Sequence, residues 1–401
     1  MNKNLNLYND TGSLILNGDY EAINVLVTNA MILFLEINIT IGVVGNVLNL
    51  MVFSRRTMRH ISTFRFLLYL SLTDLLVLIF CASDVILKFG YQIEIRSYST
   101  LICKFHTFLT YFLTHSSSII LMVISIDRAL VISHKSISNF FYTKDKSYLK
   151  RKSRYNHSKI MKKKMSIFDR VNNDMHRVDL AVGVIAFALF LLNFHYLVFL
   201  NLNILTDSNT ANENSSQHSN HTLKYVNSSK SMDENPEYIC FPVIGTWYSS
   251  FLMNIWIWID FLVYSIIPFI VMGICSMIII VKIQKNSNNL LKTLSKTSQN
   301  DKSNLQRRLK RNRQLLYMLL ITNFYFLLSL LPCCLSFLIF GGSETKSSLH
   351  QLVVHILLYT NNSINFLFYG FSSEKYRKEF IGFFKSKKEK TNKALSYYVE
   401  A

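Results

Sequence analysis

Seven long apolar stretches limit what this chain can fold into. Each is at least about 20 residues long and holds few charged residues or none, which is the length that an α-helix needs to cross about 30 Å of hydrocarbon. A barrel strand would be about half as long. The predicted fold class is therefore all-α, a seven-transmembrane helix bundle. The stretches are Met31–Phe53, Phe64–Leu87, Leu101–Ile132, Leu180–Ile204, Phe251–Val281, Leu315–Phe340 and Leu352–Phe371.

The distribution of charge predicts how the chain crosses the membrane. The net charge of +19 would suggest nucleic-acid binding in a water-soluble protein. However, 35 of the 43 Lys and Arg residues lie in or beside the segments that join stretches one and two, three and four, and five and six, or follow stretch seven. Basic residues accumulate in cytoplasmic loops. We therefore predict a multi-pass plasma-membrane protein with an extracellular N-terminus and no nucleic-acid partner.

The predicted helices divide the chain into three parts. Residues 1–28 form an extracellular N-terminus that lacks the pattern of a cleavable signal peptide. Residues 29–372 form the transmembrane domain, and residues 373–401 form a cytoplasmic tail that begins with a short amphipathic helix. The transmembrane domain includes a basic cytoplasmic loop at 133–177, an outer loop at 205–247 and a basic cytoplasmic loop at 283–313.

Asparagine sequons agree with this orientation. Four Asn-x-Ser/Thr sequences lie on the predicted outer side, at Asn9, Asn214, Asn220 and Asn227, and such sequences accept N-linked glycans on exposed segments. Three of the four fall in the outer loop at 205–247. We therefore expect a glycoprotein.

The loop at 133–177 combines many basic residues with few apolar ones, and we predict that it is mostly disordered. Attraction to anionic lipid of the inner leaflet would contribute about 1 kcal/mol per basic residue near the surface. Phosphorylation at a serine such as Ser153 is the alternative function.

The tail continues with aromatic residues at helical spacing. Tyr376, Phe380, Phe383 and Phe384 recur between basic residues, at intervals that place them on one face of a helix. This pattern predicts an amphipathic helix that lies on the inner leaflet.

Ionisable and amide side chains within the apolar stretches indicate function. An ionisable group inside hydrocarbon costs a few kcal/mol, so it needs a partner or a role. Asn361, Asn365 and Tyr369 recur four residues apart and predict a polar stripe along the seventh helix, which must face protein or water. The ionisable residues are Asp74, Asp84, Asp127, Arg128 and Asp260.

Two prolines and two cysteines add further constraints. Pro268 and Pro332 lie within the fifth and sixth stretches, where each removes a backbone hydrogen bond and predicts a kink. Cys103 and Cys240 lie at predicted outer helix ends or loops, where an oxidising environment permits a disulfide.

Together these residues resemble the rhodopsin-like class of G-protein-coupled receptors, over nearly the whole chain. Gly45-Asn46 is similar to the family's first-helix Gly-Asn, and Leu70–Asp74 to its second-helix Leu-x-x-x-Asp. Asp127–Ala129 is similar to Asp-Arg-Tyr at the end of the third helix, and Asn365–Tyr369 to the seventh-helix Asn-Pro-x-x-Tyr. Among members of the class, the chain resembles invertebrate-type neuropeptide or orphan receptors.

The resemblance implies that Cys103 and Cys240 form a disulfide and that a set of inner residues forms a conformational switch. The sequence also departs from the family pattern. The sixth-helix Cys-Trp-x-Pro is replaced by Ser329–Pro332, which lacks the aromatic residue, and Asn312 stands where an acid would pair with the third-helix arginine. We therefore predict raised ligand-free signalling. The implied switch residues are Asp127, Arg128, Asn365, Tyr369, Pro268 and Pro332.

The resemblance also implies a cation site inside the bundle. Its oxygen ligands suit a hard cation such as sodium, but a plain hydrogen-bond network would have the same sequence. No other cofactor is predicted. The implied metal-site residues are Asp74, Ser117, Asn361 and Asn365.

The predicted ligand-binding residues lie in the outer halves of their helices. Thr110 stands where monoamine receptors carry an aspartate, and Tyr359 stands where opsins carry the retinal lysine, so the resemblance argues against both ligands. Two acids would suit a basic group, such as an arginine in a peptide. The full set is Asp84, Thr110, Asp260, His355 and Tyr359.

A local interpretation of Asp260 remains equally open, in which it hydrogen-bonds to nearby aromatic residues such as Trp256, Trp258 and Tyr264.

The predicted function is therefore a G-protein-coupled receptor that binds an extracellular ligand, a neuropeptide, and activates a heterotrimeric G protein at a membrane with an anionic inner leaflet. The alternative is a seven-helix membrane transporter or ion-translocating protein, because membrane acids also mark ion paths. We find no HExxH, GxSxG or P-loop pattern, and so predict no enzymatic activity and no catalytic residues.

Overall fold

The computed structural model describes residues 3–59, 61–142, 176–205, 237–243, 245–294, 316–317, 319–333 and 348–382, with Gln314 and Leu335. Several predicted residues lie outside these ranges. They are the glycosylation sites Asn214, Asn220 and Asn227, the loop residues Ser153 and Asn312, and the tail residues Phe383 and Phe384.

The described residues form an almost entirely helical bundle, which confirms the predicted fold class. A single helical turn, Arg56–Arg59, and a 3₁₀ turn, Ile95–Ser97, lie between the long helices. The helices are α1 (Lys3–Phe53), α2 (Ser62–Gly90), α3 (Thr100–Tyr142), α4 (His176–Phe199), α5 (Trp247–Leu294), α6 (Leu319–Cys333), α7 (Ser348–Ser372) and α8 (residues 374–382).

Helices α1 to α5 are each long and apolar enough to cross a membrane. Helix α6 is apolar but spans 15 described residues from Leu319 to Cys333, and α7 has 25 residues but is less apolar. The lower hydropathy of α7 has a structural reason, because its amides at Asn361, Asn362 and Asn365 are buried against other helices.

Two helices extend beyond the predicted boundaries. Helix α1 begins at Lys3 and contains Asn9, although we predicted a first helix from about Met31. Helix α3 continues to Tyr142, so the prediction of disorder is wrong for residues 133–142. A helix satisfies its backbone hydrogen bonds internally, so it can continue past the apolar residues that reveal it in a sequence.

Helix α5 is irregular around Pro268. A π-helical turn, Leu262–Ile266, directly precedes the proline. Proline has no N–H group, so the carbonyl of Tyr264, four residues earlier, loses its helical donor. The Ser118 hydroxyl of α3 donates to that carbonyl at 2.8 Å. The predicted break at Pro268 is therefore stabilised by a neighbouring helix.

Helices α1 and α7 approach closely at two glycines. A Cβ atom on Gly42 would lie 2.7 Å from the Cα of Ser363, and a Cβ atom on Gly45 would overlap the ring of Phe366. Small residues allow helix backbones to approach in this way. Phe366, which stands where the family has proline, therefore depends on Gly45 for its space.

A two-stranded antiparallel sheet covers the end of the bundle that carries Cys103. Strand β1, Asn201–Leu205, pairs with β2, Glu237–Phe241, with Leu202 opposite Cys240. We did not predict these strands. Strand β2 lies within the loop at 205–247, whose residues 206–236 lie outside the described part of the chain. Strand β1 replaces the end of the predicted fourth stretch, Leu180–Ile204, so that prediction is wrong for residues 201–204, and the helix ends at Phe199.

Helix α8 packs against α1 as well as following α7. Tyr376 is 4% exposed, and its hydroxyl donates to the Asn49 Oδ1 atom at 2.7 Å. Its ring lies 5.5 Å from that of Phe53. Tyr376 therefore turns toward protein rather than toward the lipid surface that we predicted.

An ion pair also holds α8. Arg55 Nη1 lies 2.9 Å from Glu379 Oε2. Partial burial opposes ionisation of the Glu379 carboxyl, but hydrogen bonds from Thr57 and Arg55 outweigh it and lower the pKa of this group. The carboxylate of Glu379 is therefore ionised at neutral pH.

Candidate functional site

The most buried charge among the described residues belongs to Asp74 in the middle of α2. Its side chain is 0% exposed. Ser117 of α3 donates to Oδ1 at 2.6 Å, Asn362 of α7 donates to the same oxygen at 2.8 Å, and Asn365 donates to Oδ2 at 2.8 Å. Asp74 therefore joins three helices through its two oxygens, and these contacts offset the cost of its burial.

One member of this cluster differs from the sequence prediction. We predicted Asn361, but the amide that reaches Asp74 belongs to Asn362, and the carbonyl of Asn362 also accepts from the Asn46 amide at 2.9 Å. Asn362 and Asn365 are three residues apart and share a helix face as residues four apart do. Spacing alone could not distinguish these two faces of α7.

The cluster contains oxygen atoms that could coordinate a cation. Among the described residues, no hydrogen-bond partner reaches the buried Asn365 Oδ1 or the buried Ser71 Oγ, which lies one turn before Asp74. Carboxylate, hydroxyl and amide oxygens are the ligands that hard cations prefer. The residues present therefore fit a monovalent cation beside Asp74.

Two of the predicted switch residues, Asp127 and Arg128, lie further along α3 and are also in contact. Arg128 donates to Asp127 Oδ2 from Nε at 2.9 Å and from Nη2, and Nη2 also donates to Ser62 Oγ at 2.8 Å. Arg128 is 9% exposed. The Arg128 guanidinium is thus bound both by Ser62 of α2 and by Asp127, the residue that precedes it in α3.

Tyr369 and Pro332 complete the predicted switch set. Tyr369 is 0% exposed, and its ring lies 5.6 Å from that of Phe53. Its hydroxyl has no hydrogen-bond partner among the described residues. Pro332 lies in the last described turn of α6.

A second buried polar contact was missed. Asn323 of α6 is 0% exposed, and its Nδ2 donates to Ser125 Oγ of α3 at 2.8 Å and to Ser276 Oγ of α5 at 3.2 Å. This contact joins three helices halfway between Asp260 and the inner ends. An amide within an apolar stretch was the signal that could have revealed it.

A cavity of about 230 Å³ lies at the disulfide end of the bundle, between α3, α4, α5 and the sheet. Its walls are largely aromatic and aliphatic, with two charged side chains. The lining residues are Arg96, Thr107, Tyr111, Tyr196, Leu200, Cys240, Phe241, Leu252, Met253, Trp256, Ile257 and Asp260.

Asp260 is oriented by residues that we did not predict. His115 of α3 is 0% exposed, and its Nε2 lies 2.9 Å from Asp260 Oδ1. The Nδ2 atom of Asn193 in α4 donates to the Leu189 carbonyl at 2.8 Å. The same nitrogen lies 3.3 Å from His115 Nδ1. This geometry makes His115 Nδ1 the acceptor from Asn193 and Nε2 the donor to Asp260. The contact with His115 crosses to α3, so it differs from the predicted local bonds of Asp260.

Asp84 has a partner within the protein. Arg96 Nη2 lies 3.1 Å from Asp84 Oδ2, and Arg96 Nε donates to His106 Nδ1 at 3.2 Å. The charge of Asp84 is thus matched by Arg96, and Asp260 is the one of the two predicted acids that lines the cavity.

The other predicted ligand residues lie outside the cavity lining. The Thr110 hydroxyl donates to the carbonyl of His106 at 2.8 Å. His355 Nδ1 lies 2.7 Å from the Gln351 carbonyl, and its ring stacks 6.1 Å from that of Tyr359. Tyr359 is 8% exposed within an apolar cluster on α1, α2 and α7. None of the three lines this cavity, so their predicted role in ligand binding stays a prediction.

The Cys103–Cys240 disulfide is present, with 5.5 Å between the Cα atoms. It joins the first turn of α3 to β2 and so fixes one wall of the cavity. The pairing that the resemblance implied is confirmed.

Comparison with known proteins agrees with these observations over part of the chain. Residues 45–150 match the family model described as 7 transmembrane receptor (rhodopsin family). No curated protein matches the chain. The matched segment covers about a quarter of the sequence and carries Asp74, Cys103, Ser117 and Arg128. This segment is therefore similar to rhodopsin-family seven-helix receptors, and it supports a receptor of that type.

Proposed function

We propose that the chain is a rhodopsin-like receptor of the plasma membrane, with its N-terminus and cavity outside. An extracellular ligand enters the cavity lined by Asp260, and the inner ends of the helices then activate a heterotrimeric G protein. The observation that carries this proposal is the Asp74 cluster, in which one buried carboxylate ties α2 to both α3 and α7. A ligand that changes the position of α3 must alter these contacts.

The mechanism is a shift between two conformations. In the state seen here, Arg128 is bound to Asp127 and Ser62 and is turned inward. A G protein favours a state in which this guanidinium is released. A ligand shifts the equilibrium only by its difference in affinity for the two states, so the cavity must change shape between them.

The long helix α3 is the element best placed to connect the two ends. His115 touches Asp260, Ser117 donates to Asp74, and Ser125 contacts Asn323, all within three turns. A rotation or shift of α3 would change all three contacts together. This arrangement supports coupling between the cavity and the inner end.

A sodium ion beside Asp74 would stabilise the resting state. It would use the unpartnered oxygens of Asn365 and Ser71, together with the carboxylate, and so restrain α2 and α7. Sodium would then oppose ligand binding, because each ligand shifts the equilibrium toward the state that it binds more tightly.

For the ligand we propose a cationic peptide. The Asp260 carboxylate is 30% exposed and lies among Tyr111, Tyr196 and Trp256, whose rings favour a cation as well as apolar contact. The loop at 205–247 includes β2, and Cys240 and Phe241 of β2 line the cavity. A peptide bound in the cavity would therefore contact this loop.

The test is a screen of basic peptides against cells that express the chain, with nucleotide exchange on G proteins as the readout. Asp260→Asn should reduce the potency of an active peptide roughly 10- to 100-fold, because a charge-assisted hydrogen bond is lost, while surface expression stays normal. Glu94→Gln is the matched control, since Glu94 is an exposed outer acid paired with Lys88.

Two other results would contradict this proposal. If no peptide raises nucleotide exchange, and vesicles that contain the protein instead show substrate or ion flux, the chain is a transporter. Unchanged potency in Asp260→Asn would remove Asp260 from the binding site.

A further inference from the structure

Two opposite charges face the same cavity. Asp260 is 30% exposed and Arg96 is 29% exposed, and both line the cavity wall. Asp260 uses Oδ1 for His115, while Arg96 uses Nε for His106 and Nη2 for Asp84. Among the described residues, Asp260 Oδ2 and Arg96 Nη1 have no hydrogen-bond partner and remain for a ligand.

One further donor of the cavity wall is unused. Trp256 is 4% exposed and lines the cavity. Within the described part of the chain, Trp256 Nε1 has no hydrogen-bond partner. A buried polar group without a partner costs about 1–3 kcal/mol. A ligand that offers an acceptor to Trp256 would remove that cost.

The cavity therefore offers more donors than acceptors. Arg96 and Trp256 can donate, and Asp260 is the charged acceptor. A fitting ligand end has one cationic donor and an anion with several acceptor positions. An N-terminal residue offers an ammonium, and it offers an anion only where its side chain is acidic, whereas every C-terminal residue carries a carboxylate with about four acceptor positions.

The volume of the cavity limits how much of the ligand it holds. At about 230 Å³ it is smaller than the roughly 300–1,000 Å³ of pockets that enclose whole small molecules. The stem of a long side chain could lie against Leu252 and Ile257, which line the wall near Asp260. The cavity suits one terminal residue, with the rest of the peptide outside.

We propose that this cavity binds the C-terminal basic residue of a peptide that has a free carboxylate. The basic side chain pairs with Asp260. The carboxylate pairs with Arg96 and accepts a hydrogen bond from Trp256. This inference rests on the proposed receptor function and names the end of the peptide that the receptor recognises.

The neighbours of Arg96 support its role as an anion-binding residue. Asp84 is 14% exposed and holds one side of the guanidinium. His106 binds Nε through its Nδ1. Both contacts fix the orientation of the guanidinium, so the Nη1 atom is already oriented before the ligand binds.

The experiment uses three libraries of N-acetylated tetrapeptides with three random positions. The first ends in arginine with a free carboxylate, the second ends in arginine amide, and the third ends in citrulline with a free carboxylate. Each library is passed over the purified, immobilised full-length protein, and the retained peptides are quantified. We expect the first library to be retained roughly 10- to 100-fold more than either of the others, as for a lost charge-assisted hydrogen bond.

Variants assign each preference to a residue. Arg96→Gln should remove the preference for carboxylate over amide but keep the preference for arginine over citrulline. Asp260→Asn should do the reverse. Lys88→Gln is the matched control, because Lys88 is an outer cation that pairs with Glu94 and does not line the cavity. It should retain both preferences.

The outcomes separate this inference from the receptor function. Equal retention of the three libraries by the wild-type protein overturns the inference, whether or not the variants fold. Absence of retention also overturns it, and if ligand-free nucleotide exchange on G proteins is intact, the receptor function stands. Loss of both retention and exchange contradicts the receptor function as well.

Discussion

Asp74 shows how the surroundings of one residue decide its chemistry. A carboxylate in the middle of a membrane helix is costly, and this cost made Asp74 predictable from the sequence. The structure adds the partners Ser117, Asn362 and Asn365. Two of these were predicted and one was displaced by a single residue, because spacing does not fix the rotation of α7 about its axis.

A first prediction concerns sodium at Asp74. The melting temperature of the purified protein should be higher in sodium chloride than in potassium chloride at equal ionic strength. If the ion is present at about tenfold its dissociation constant, the gain is about 1.4 kcal/mol, or roughly 3–6 °C. Asp74→Asn should abolish the difference, whereas the exposed control Glu94→Gln should keep it. Equal melting temperatures for the wild-type protein would exclude the ion and leave a hydrogen-bond network.

A second prediction concerns the close approach at Gly45. A methyl group there would overlap Phe366, so Gly45→Ala should destabilise the protein by about 1–3 kcal/mol. The double variant Gly45→Ala with Phe366→Ala should recover part of that loss, because the truncated ring leaves space for the methyl group.

Thermal unfolding of the single and double variants measures this coupling, and Gly183→Ala is the control, since a Cβ there would meet open space. Additive losses in the double variant would show that Phe366 does not occupy the position described.

His115 and Asn193 mark the limit of prediction at this scale. Neither residue has a spacing that distinguishes it from other polar residues of its helix, and their roles depend on the packing of α3 against α4 and α5. Arg96 was missed for a similar reason, because its pairing with Asp84 depends on the path of a short loop.

At the scale of single elements, helix irregularities follow from local chemistry. Pro268 was expected to disturb α5, and the structure shows the compensation, a hydroxyl of Ser118 that donates to the freed carbonyl. The π-helical turns Leu78–Ala82 of α2 and Leu252–Trp256 of α5 had no sequence signal that we could identify. Strand β1 was missed because its residues continue the fourth apolar stretch, and β2 was missed because it follows a long polar loop.

Three polar side chains also attach α4 to α2. Arg65 Nε donates to Asp179 Oδ1 at 2.6 Å, Nη2 donates to Oδ2, and the Tyr69 hydroxyl donates to Oδ1 at 2.8 Å. The bidentate pair supplies a contact between these two helices.

A third prediction follows for this pair. Asp179→Ala should destabilise the protein by about 1–3 kcal/mol, because it leaves a partly buried guanidinium and a tyrosine hydroxyl without their acceptor. The matched control is Glu374→Ala, which removes an exposed partner of Lys378 and should change stability by less than about 0.5 kcal/mol. Equal effects in chemical or thermal unfolding would show that the Asp179 contacts contribute no more than a surface ion pair.

At the scale of the whole molecule, the seven apolar stretches predicted the order of the long helices in the described part of the chain. They did so because backbone N–H and C=O groups inside hydrocarbon can hydrogen-bond only to other backbone groups, and a helix satisfies all of them within one segment. Helix ends were less predictable, as α1 and α3 show, since helices continue into water without an apolar signal. The shape of the cavity could not be predicted, because it depends on the disulfide, the sheet and a loop arginine together.

The central claim is that buried polar contacts along α3 connect an outer cavity to an inner surface that activates G proteins. The most direct test is ligand-free nucleotide exchange by purified G proteins in vesicles that contain the protein. Because Asn312 stands where an acid would restrain Arg128, the wild-type protein should accelerate exchange above empty vesicles, and Asn312→Glu should lower that rate severalfold. No acceleration by the wild-type protein with any class of G protein, or an unchanged rate in Asn312→Glu, would contradict the account.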